Sequence, residues 1–240
     1  MKKILSLIFV VLTMSVMMFA EEMPKEVNFP SDELSLSENN EMLYDGKLYT
    51  GKIILDDVGY MNLKDGHLEG KTYMGGGELK VSFNVVNDEF DGDFIEKGKV
   101  FGTYIDMLIN FRNGKIKTWI ASIGAVDYDL TFDSSGNANG TLKSDSKNIE
   151  LNFIDGVAKT KEGLIVKGNS GDKGNEMILS TFTKSGKLIS ESGRGYHMDR
   201  NFIEKYLFQP LLGEISDEQI EFLEKTKKKL EESKEQTKLN

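Results

Sequence analysis

Residues 44–53 read "YDGKLYTGKI", and residues 64–73 read "KDGHLEGKTY". Each sets an Asp-Gly pair, an apolar residue shortly after it, and then a glycine. Asp-Gly is among the strongest short signals for a two-residue hairpin turn, because both central positions of that turn need a positive φ. Working outward, turn dipeptides keep arriving up to "SG" at 192, most of them 8 to 13 residues apart. The segments between them alternate. In "AVDYDLTF", Val126, Tyr128, Leu130 and Phe132 fall on one face and Asp127, Asp129 and Thr131 on the other; "NIELNF" repeats this with Ile149, Leu151 and Phe153. Period two marks a strand with one buried and one wet face. The expectation is a mainly β chain, an antiparallel meander of roughly a dozen short strands.

Aligned on the turns, a seven-residue unit recurs: "DGHLEGK" at 65, "NDEFDGD" at 87, "NGKIKTW" at 113, "SGNANGT" at 135, "DGVAKTK" at 155 and "SGKLISE" at 185. The turn pairs include Asp65-Gly66, Asn113-Gly114 and Asp155-Gly156. The fourth position is Leu68, Phe90, Ile116, Ala138, Ala158 or Leu188, expected to point inward. The sixth is Gly70, Gly92, Thr118, Gly140, Thr160 or Ser190, expected to leave room for a neighbouring strand's side chain. In the stretch at 44, Asp45-Gly46 makes the turn, Leu48 is the expected inward residue and Gly51 the small one. A single hairpin buries little, whereas hairpins stacked at about 20 to 26 residues share one face.

These stretches, "YDGKLYTGK" and "KDGHLEGKTY" above all, resemble the bacterial MORN-2 variant of the membrane occupation and recognition nexus repeats. The match is good from about Glu41 to Val100 and looser to Gly195, where later copies lose the glycine. The resemblance implies an elongated, twisted sheet of stacked hairpins, no catalytic residues, and a role in attachment to proteins or membrane surfaces. Some members of that family are antitoxins, a cytoplasmic role that sits poorly with the N-terminus of this chain.

That N-terminus, "MKKILSLIFVVLTMSVMMFAEE", has the layout of a secretory signal peptide: Lys2 and Lys3, an uncharged run from Ile4 to Phe19, and Ala20 before two glutamates. Cleavage after Ala20 takes the net charge from −9 to −11, with 28 basic against 39 acidic residues. Such a surface repels phosphate backbones, so nucleic acid is not an expected partner. No later apolar run reaches membrane-span length, so no integral membrane segment is expected after cleavage. The chain has no cysteine, hence no disulfide and no lipidated N-terminal Cys. Of the 24 glycines, 23 fall between Gly46 and Gly195, and all three prolines fall outside that span, as a turn-rich sheet requires. The expected division is a signal peptide at 1–20, a flexible leader at 21–41, a β-hairpin repeat domain at 42–195 and a helical tail at 196–240. Ser216 and Gln219 form a capping-box pattern, opening a helix of about 20 residues with a thin apolar stripe of Ile220, Leu223 and Leu230. A shorter helix is expected at about 199–208, before Pro210.

Candidate chemistry is sparse. His67 and His197 are the only histidines, and His67 reads as a solvated turn residue. No serine has a nucleophile-elbow context, so neither catalytic residues nor cofactor are expected. The loops "DSSGNANG" at 133 and "GNSGDKGNE" at 168 invite calcium, but Ala138 and Ser144 stand where an EF-hand needs Gly and Glu, and turn chemistry explains their composition. No metal is expected. "GRGYHMDR" gathers Arg194, Tyr196, His197 and Arg200 at the junction with the tail, the best candidate binding patch because Arg and Tyr favour contact hot spots. Trp119, Tyr49, Tyr73, Tyr104 and Tyr128 read as core or cross-strand residues. The functional expectation is an exported, non-enzymatic repeat protein that contacts a protein partner in the bacterial envelope (periplasm or cell surface) or outside the cell, including adhesion or host interaction. The alternatives are an up-and-down barrel holding a small apolar ligand, an antitoxin or immunity-type binder, and an outer-membrane barrel, for which the strands are short.

Overall fold

A computed structural model describes residues 23–100 and 102–194, together with Arg200, Glu204, Leu207, Phe208, Leu211 and Leu212 of the tail. The expected signal sequence and the helices expected at 199–208 and from Ser216 lie outside the described elements. The strands are β1 (Glu26–Asn28), β2 (Leu34–Leu36), β3 (Met42–Tyr44), β4 (Lys47–Leu48), β5 (Gly51–Leu55), β6 (Gly59–Lys64) and β7 (His67–Leu68). They continue with β8 (Gly70–Gly76), β9 (Leu79–Val86), β10 (Glu89–Phe90), β11 (Gly92–Val100), β12 (Thr103–Arg112), β13 (Lys115–Ile123) and β14 (Val126–Phe132). Last come β15 (Ala138–Ser144), β16 (Ile149–Phe153), β17 (Val157–Lys159), β18 (Ile165–Asn169), β19 (Met177–Phe182) and β20 (Leu188–Arg194).

The main sheet runs β1-β5-β6-β8-β9-β11-β12-β13-β14-β15-β16, with β7 and β10 pairing on β6 and β9 as short return legs. It is the expected antiparallel meander except at β1, which lies parallel to β5. Its end strands β1 and β16 do not pair with each other, so the sheet is open rather than closed into a barrel. Strands β17 to β20 form a second sheet, and β2 to β4 a third. The segment expected to be a flexible leader therefore contributes β1 and β2, and it buries Val27 and Leu34. Alternating apolar residues gave it that capacity despite its polar composition.

Five turns adopt the double positive-φ form that their sequences predict: Asp45-Gly46, Asp65-Gly66, Asn87-Asp88, Asn113-Gly114 and Asp155-Gly156. Four of them hang on the preceding unit. Gly66 N donates to Tyr49 O, Gly114 N to Phe90 O and Gly156 N to Ala138 O, at 2.8 to 2.9 Å. The first turn residue donates to the next side chain along: Asp65 N to Thr50 Oγ1, Asn87 N to Glu69 Oε1, Asn113 N to Asp91 Oδ1 and Asp155 N to Asn139 Oδ1. This repeated pairing is what makes a stack of the hairpins, since each otherwise orphaned turn N–H is satisfied by its neighbour.

The same bonds correct the register of the opening stretch. Tyr49, fully buried, occupies the place of Phe90 and Ala138, while Leu48, the expected inward residue, is 43% exposed. The extra residue in that copy shifts the parity by one, which reverses the face. Elsewhere the fourth position behaves as expected: Leu68, Phe90, Ile116, Ala138 and Ala158 are buried, and Leu188 alone is exposed.

The sixth position works differently from the expectation. Gly51 does make room, because a Cβ there would lie 2.5 Å from Tyr49 Oη and 2.8 Å from Lys25 O. A Cβ at Gly70 would meet only Asn62 Cβ, at an ordinary 3.7 Å, and one at Gly92 would meet nothing within 4 Å; both glycines sit at φ +86° inside bulges. Five steps from Leu68 to Tyr73 oppose three from Leu63 to Tyr60, and five from Phe90 to Ile95 oppose three from Val85 to Ser82. Here glycine supplies conformation rather than volume. An asparagine spans each bulge: Asn62 Nδ2 donates to Lys71 O, and Asn84 Nδ2 to Asp91 O. Bulges bend a strand and raise its twist, so recurring bulges coil the sheet around its apolar face. That face carries Trp119, Met61, Ile109, Leu130 and Phe153, all essentially inaccessible, and a Phe83–Phe90–Phe94–Phe111 aromatic group.

Candidate functional site: the outer face and the turn edge

Strand pairing sorts the wet face into transverse rows. The central one reads Ile54, Tyr60, Tyr73, Ser82, Ile95, Leu108 and Ile120 on β5, β6, β8, β9, β11, β12 and β13, each residue directly opposite the next. Beyond Ile120 the row turns polar, with Asp129, Thr141 and Asn152. On the turn side runs a polar row that includes Asn62, Lys71, Asn84, Asp93, Asn110 and Thr118. On the other side lie Lys80, Lys97, Asp106, Ser122, Asp127 and Lys143. Tyr73, Ile95 and Ile120 are 37%, 40% and 48% exposed. Apolar residues flanked by polar rows are an arrangement that contact surfaces share.

At the first end of this band the Tyr60 and Tyr73 rings lie 6.5 Å apart at 39°, with Lys52 Nζ 5.0 Å from the Tyr60 centroid. Together with Lys71, Ser82, Asn84, Asp91 and Asp93 they line a shallow groove of about 460 Å³. The rim is held by its own pairs: Lys97 Nζ to Asp106 Oδ2 at 2.6 Å, which raises the Lys97 ammonium above its ordinary range, and Asn110 Nδ2 to Asp93 Oδ1 at 2.8 Å.

The second polar concentration is on the turn edge. His67 stands between two carboxylates, with Nδ1 3.1 Å from Glu204 Oε2 and Nε2 3.6 Å from Glu41 Oε1. It is a bridging residue and not the solvated turn side chain expected. Glu204 also accepts from Leu68 N at 2.6 Å, and Arg200 Nε lies 3.5 Å from its Oε1. Arg200 additionally pairs with Asp88 of the next turn. Burial pushes the Glu204 carboxyl above its ordinary value, with His67, Leu68 N–H and Arg200 offsetting part of the effect. Phe208, fully buried, continues this contact into the core. The tail thus closes the turn edge of the early hairpins.

Of the candidate patch, Arg200 is engaged within the chain, Arg194 ends β20, and Tyr196 and His197 lie outside the described residues. Asp45, Gly46, Asp65, Gly66, Asn113, Gly114, Asp155 and Gly156 all sit in the turns assigned to them. Among the described residues no group of three or more His, Asp or Glu has metal-holding geometry. The Asp133 carboxylate is taken up by the backbone N–H groups of Ser135 and Asn137 and by Asn137 Nδ2, bonds that hold its pKa below the ordinary range. Two features escaped sequence reasoning. The apolar row needs the inter-strand register to appear. The asparagines left a signal that went unused, since Asn62, Asn84, Asn110 and Asn152 each stand three residues before a turn. No helix among the described residues is long and apolar enough to cross a membrane. No family model, curated protein or solved structure matches the chain.

Proposed function

We propose that this chain is an exported, non-enzymatic repeat protein of the MORN-2 type, and that it acts by making protein–protein contacts in the bacterial envelope or outside the cell. The observation that carries the reading is the outer-face band, in which Tyr60, Tyr73, Ile95, Leu108 and Ile120 line up across an open sheet between two polar rows. A large apolar strip on an otherwise charged surface is retained at a cost in solubility, and covering it with a partner recovers that cost. The end strands β1 and β16, which do not pair with each other, favour a surface contact over a closed barrel that holds a small ligand. Stacked hairpins with turns hung on their predecessors support the repeat-family resemblance. The leader "MKKILSLIFVVLTMSVMMFA" supports export.

The test is a pull-down from envelope extract with wild type and with a Tyr73→Asp, Ile120→Asp double variant. Both side chains point to solvent, so the variant should keep its β-sheet circular dichroism and melting temperature while losing at least tenfold of the captured partner. A variant that retains its partner in full would remove the outer face from the reading.

A further inference from the structure

We infer that the groove at the first end of the outer-face band binds an uncharged oligosaccharide, one pyranose ring packing on Tyr73 while its hydroxyl edge meets Lys71, Asp91 and Asp93. This goes beyond the protein contact proposed above and does not depend on it. The floor of the groove is aromatic because the strand beneath makes room for it. A Cβ at Gly75 would lie 2.9 Å from Tyr73 Oη and 3.4 Å from Tyr73 Cζ, so the hydroxyl end of the ring reaches along β8 over a position without a side chain. Tyr73 stays 37% exposed. Tyr60 stands beside it at 6.5 Å, tilted by 39°, and Lys52 Nζ lies 5.0 Å from the Tyr60 centroid. Lys52 thus takes Tyr60, and Tyr73 has no such cation among the described residues.

The wall of the groove is polar and held in place. Asp91 Oδ1 accepts from Asn113 N at 3.2 Å, and Asp93 Oδ1 accepts from Asn110 Nδ2 at 2.8 Å. These bonds fix both carboxylates and leave the second oxygen of each, like Lys71 Nζ, without a partner among the described residues. Two acceptors and a donor beside an aromatic floor match the two sides of a pyranose. Its C–H face is apolar and suits the negative face of a tyrosine ring, and its hydroxyls both donate and accept. The groove of about 460 Å³ falls in the range of small-ligand sites. Charge narrows the class. The chain carries a net charge of −9 and the wall adds two of its carboxylates, so sulfated, phosphorylated or uronic-acid sugars are repelled.

The probes are cellotetraose and chitotetraose, titrated calorimetrically into the full chain, with a heparin tetrasaccharide as the anionic control. At least one of the two neutral sugars should saturate the protein below about 10 mM, a weak single-groove affinity, and heparin should not. Tyr73→Ala should weaken the neutral sugar at least tenfold. Gly75→Ala keeps the tyrosine but displaces the free end of its ring, and should weaken binding at least threefold with unchanged circular dichroism. Ile120→Asp, at the far end of the band, should bind the sugar as wild type does. Failure of both neutral sugars to bind, equal binding of heparin, or an affinity that survives Tyr73→Ala would each overturn the inference. If neither sugar binds while the Tyr73→Asp, Ile120→Asp variant still loses its protein partner, the contact surface stands and the saccharide site falls. If the sugar binds while that variant keeps its partner, the saccharide site stands and the protein contact falls.

Discussion

The early hairpins, with turns at Asp65, Asn87 and Asn113, and the later ones, around Asp133, Thr160 and Thr183, solve the same closure problem in two ways. Early turns are two residues long, hang on the preceding unit and are followed by bulges. Later loops are longer and self-sufficient: Asp133 Oδ1, Thr160 Oγ1 and Thr183 Oγ1 each accept from the backbone N–H four residues on, with Gly136, Gly163 and Gly186 at positive φ. The turn edge is closed differently as well. Tail residues Arg200 and Glu204 bind the hairpins at Asn87 and Asp65, whereas the 168–176 loop laces the hairpins from Asn113 onward: Gly168 N donates to Gly156 O, Ser170 N to Gly136 O and Ile116 N to Gly174 O. The outer face follows the same divide, apolar up to Ile120 and polar from Asp129. Turns that depend on their neighbours make a cooperative stack; loops that cap themselves allow the chain to leave the stack and begin a second sheet.

The strongest way to break that contrast is at the fourth repeat position. Phe90 packs against Phe83, Phe94 and Phe111 at centroid distances of 5.4 to 6.1 Å, whereas Leu188 in the equivalent late position is 51% exposed. Phe90→Ala should cost about 3 to 5 kcal/mol in urea unfolding, and Leu188→Ala within about 0.5 kcal/mol. Similar losses at the two sites would mean that the late copy is not peripheral to the stack.

A smaller effect separates the turn types. Asp91→Ala removes the acceptor of Asn113 N in the next hairpin, and Thr183→Ala removes only a local acceptor for Lys187 N. The first should cost about 1 kcal/mol and lower hydrogen-exchange protection in both hairpins. The second should leave protection outside its own loop unchanged. Protection lost only locally in Asp91→Ala would show that the hung turns do not couple neighbouring units.

Much of the body was legible because turn identity and period-two alternation are local properties. Asp65-Gly66 specifies its φ values by itself, and Tyr128, Leu130 and Phe132 declare their face by spacing alone. Leu48 was misread because facing depends on parity, and one extra residue reverses it. Gly70 was misread because a glycine needed for conformation and one needed for space look alike in sequence. The roles of Val27 and Leu34, of His67 between Glu41 and Glu204, and of the Ile54-to-Ile120 row depend on partners far along the chain. Spacing within one strand carries no trace of those pairings.

The two regions should also answer pH with opposite sign. Glu204, on the early turn edge, has a folded pKa raised by burial above its ordinary value of 4.5. It binds its proton more tightly folded than unfolded, so its contribution is fully present below about pH 4.5 and is lost as pH rises through the folded pKa. Wild type should therefore lose ground steadily against Glu204→Gln in urea midpoints measured from pH 4 to 8. Glu41, His67, Arg200 and Asp88 surround the site, so the slope is read as a difference between the two proteins at each pH. Asp133, in the later region, has a folded pKa lowered by backbone and side-chain hydrogen bonds. Its contribution is present above the unfolded value and fades as pH falls through the folded one, so wild type should lose its advantage over Asp133→Ala on acidification. This second effect is the smaller, because the group is in solvent, and two slopes of the same sign would contradict the division between a buried, tail-sealed edge and self-capped open loops.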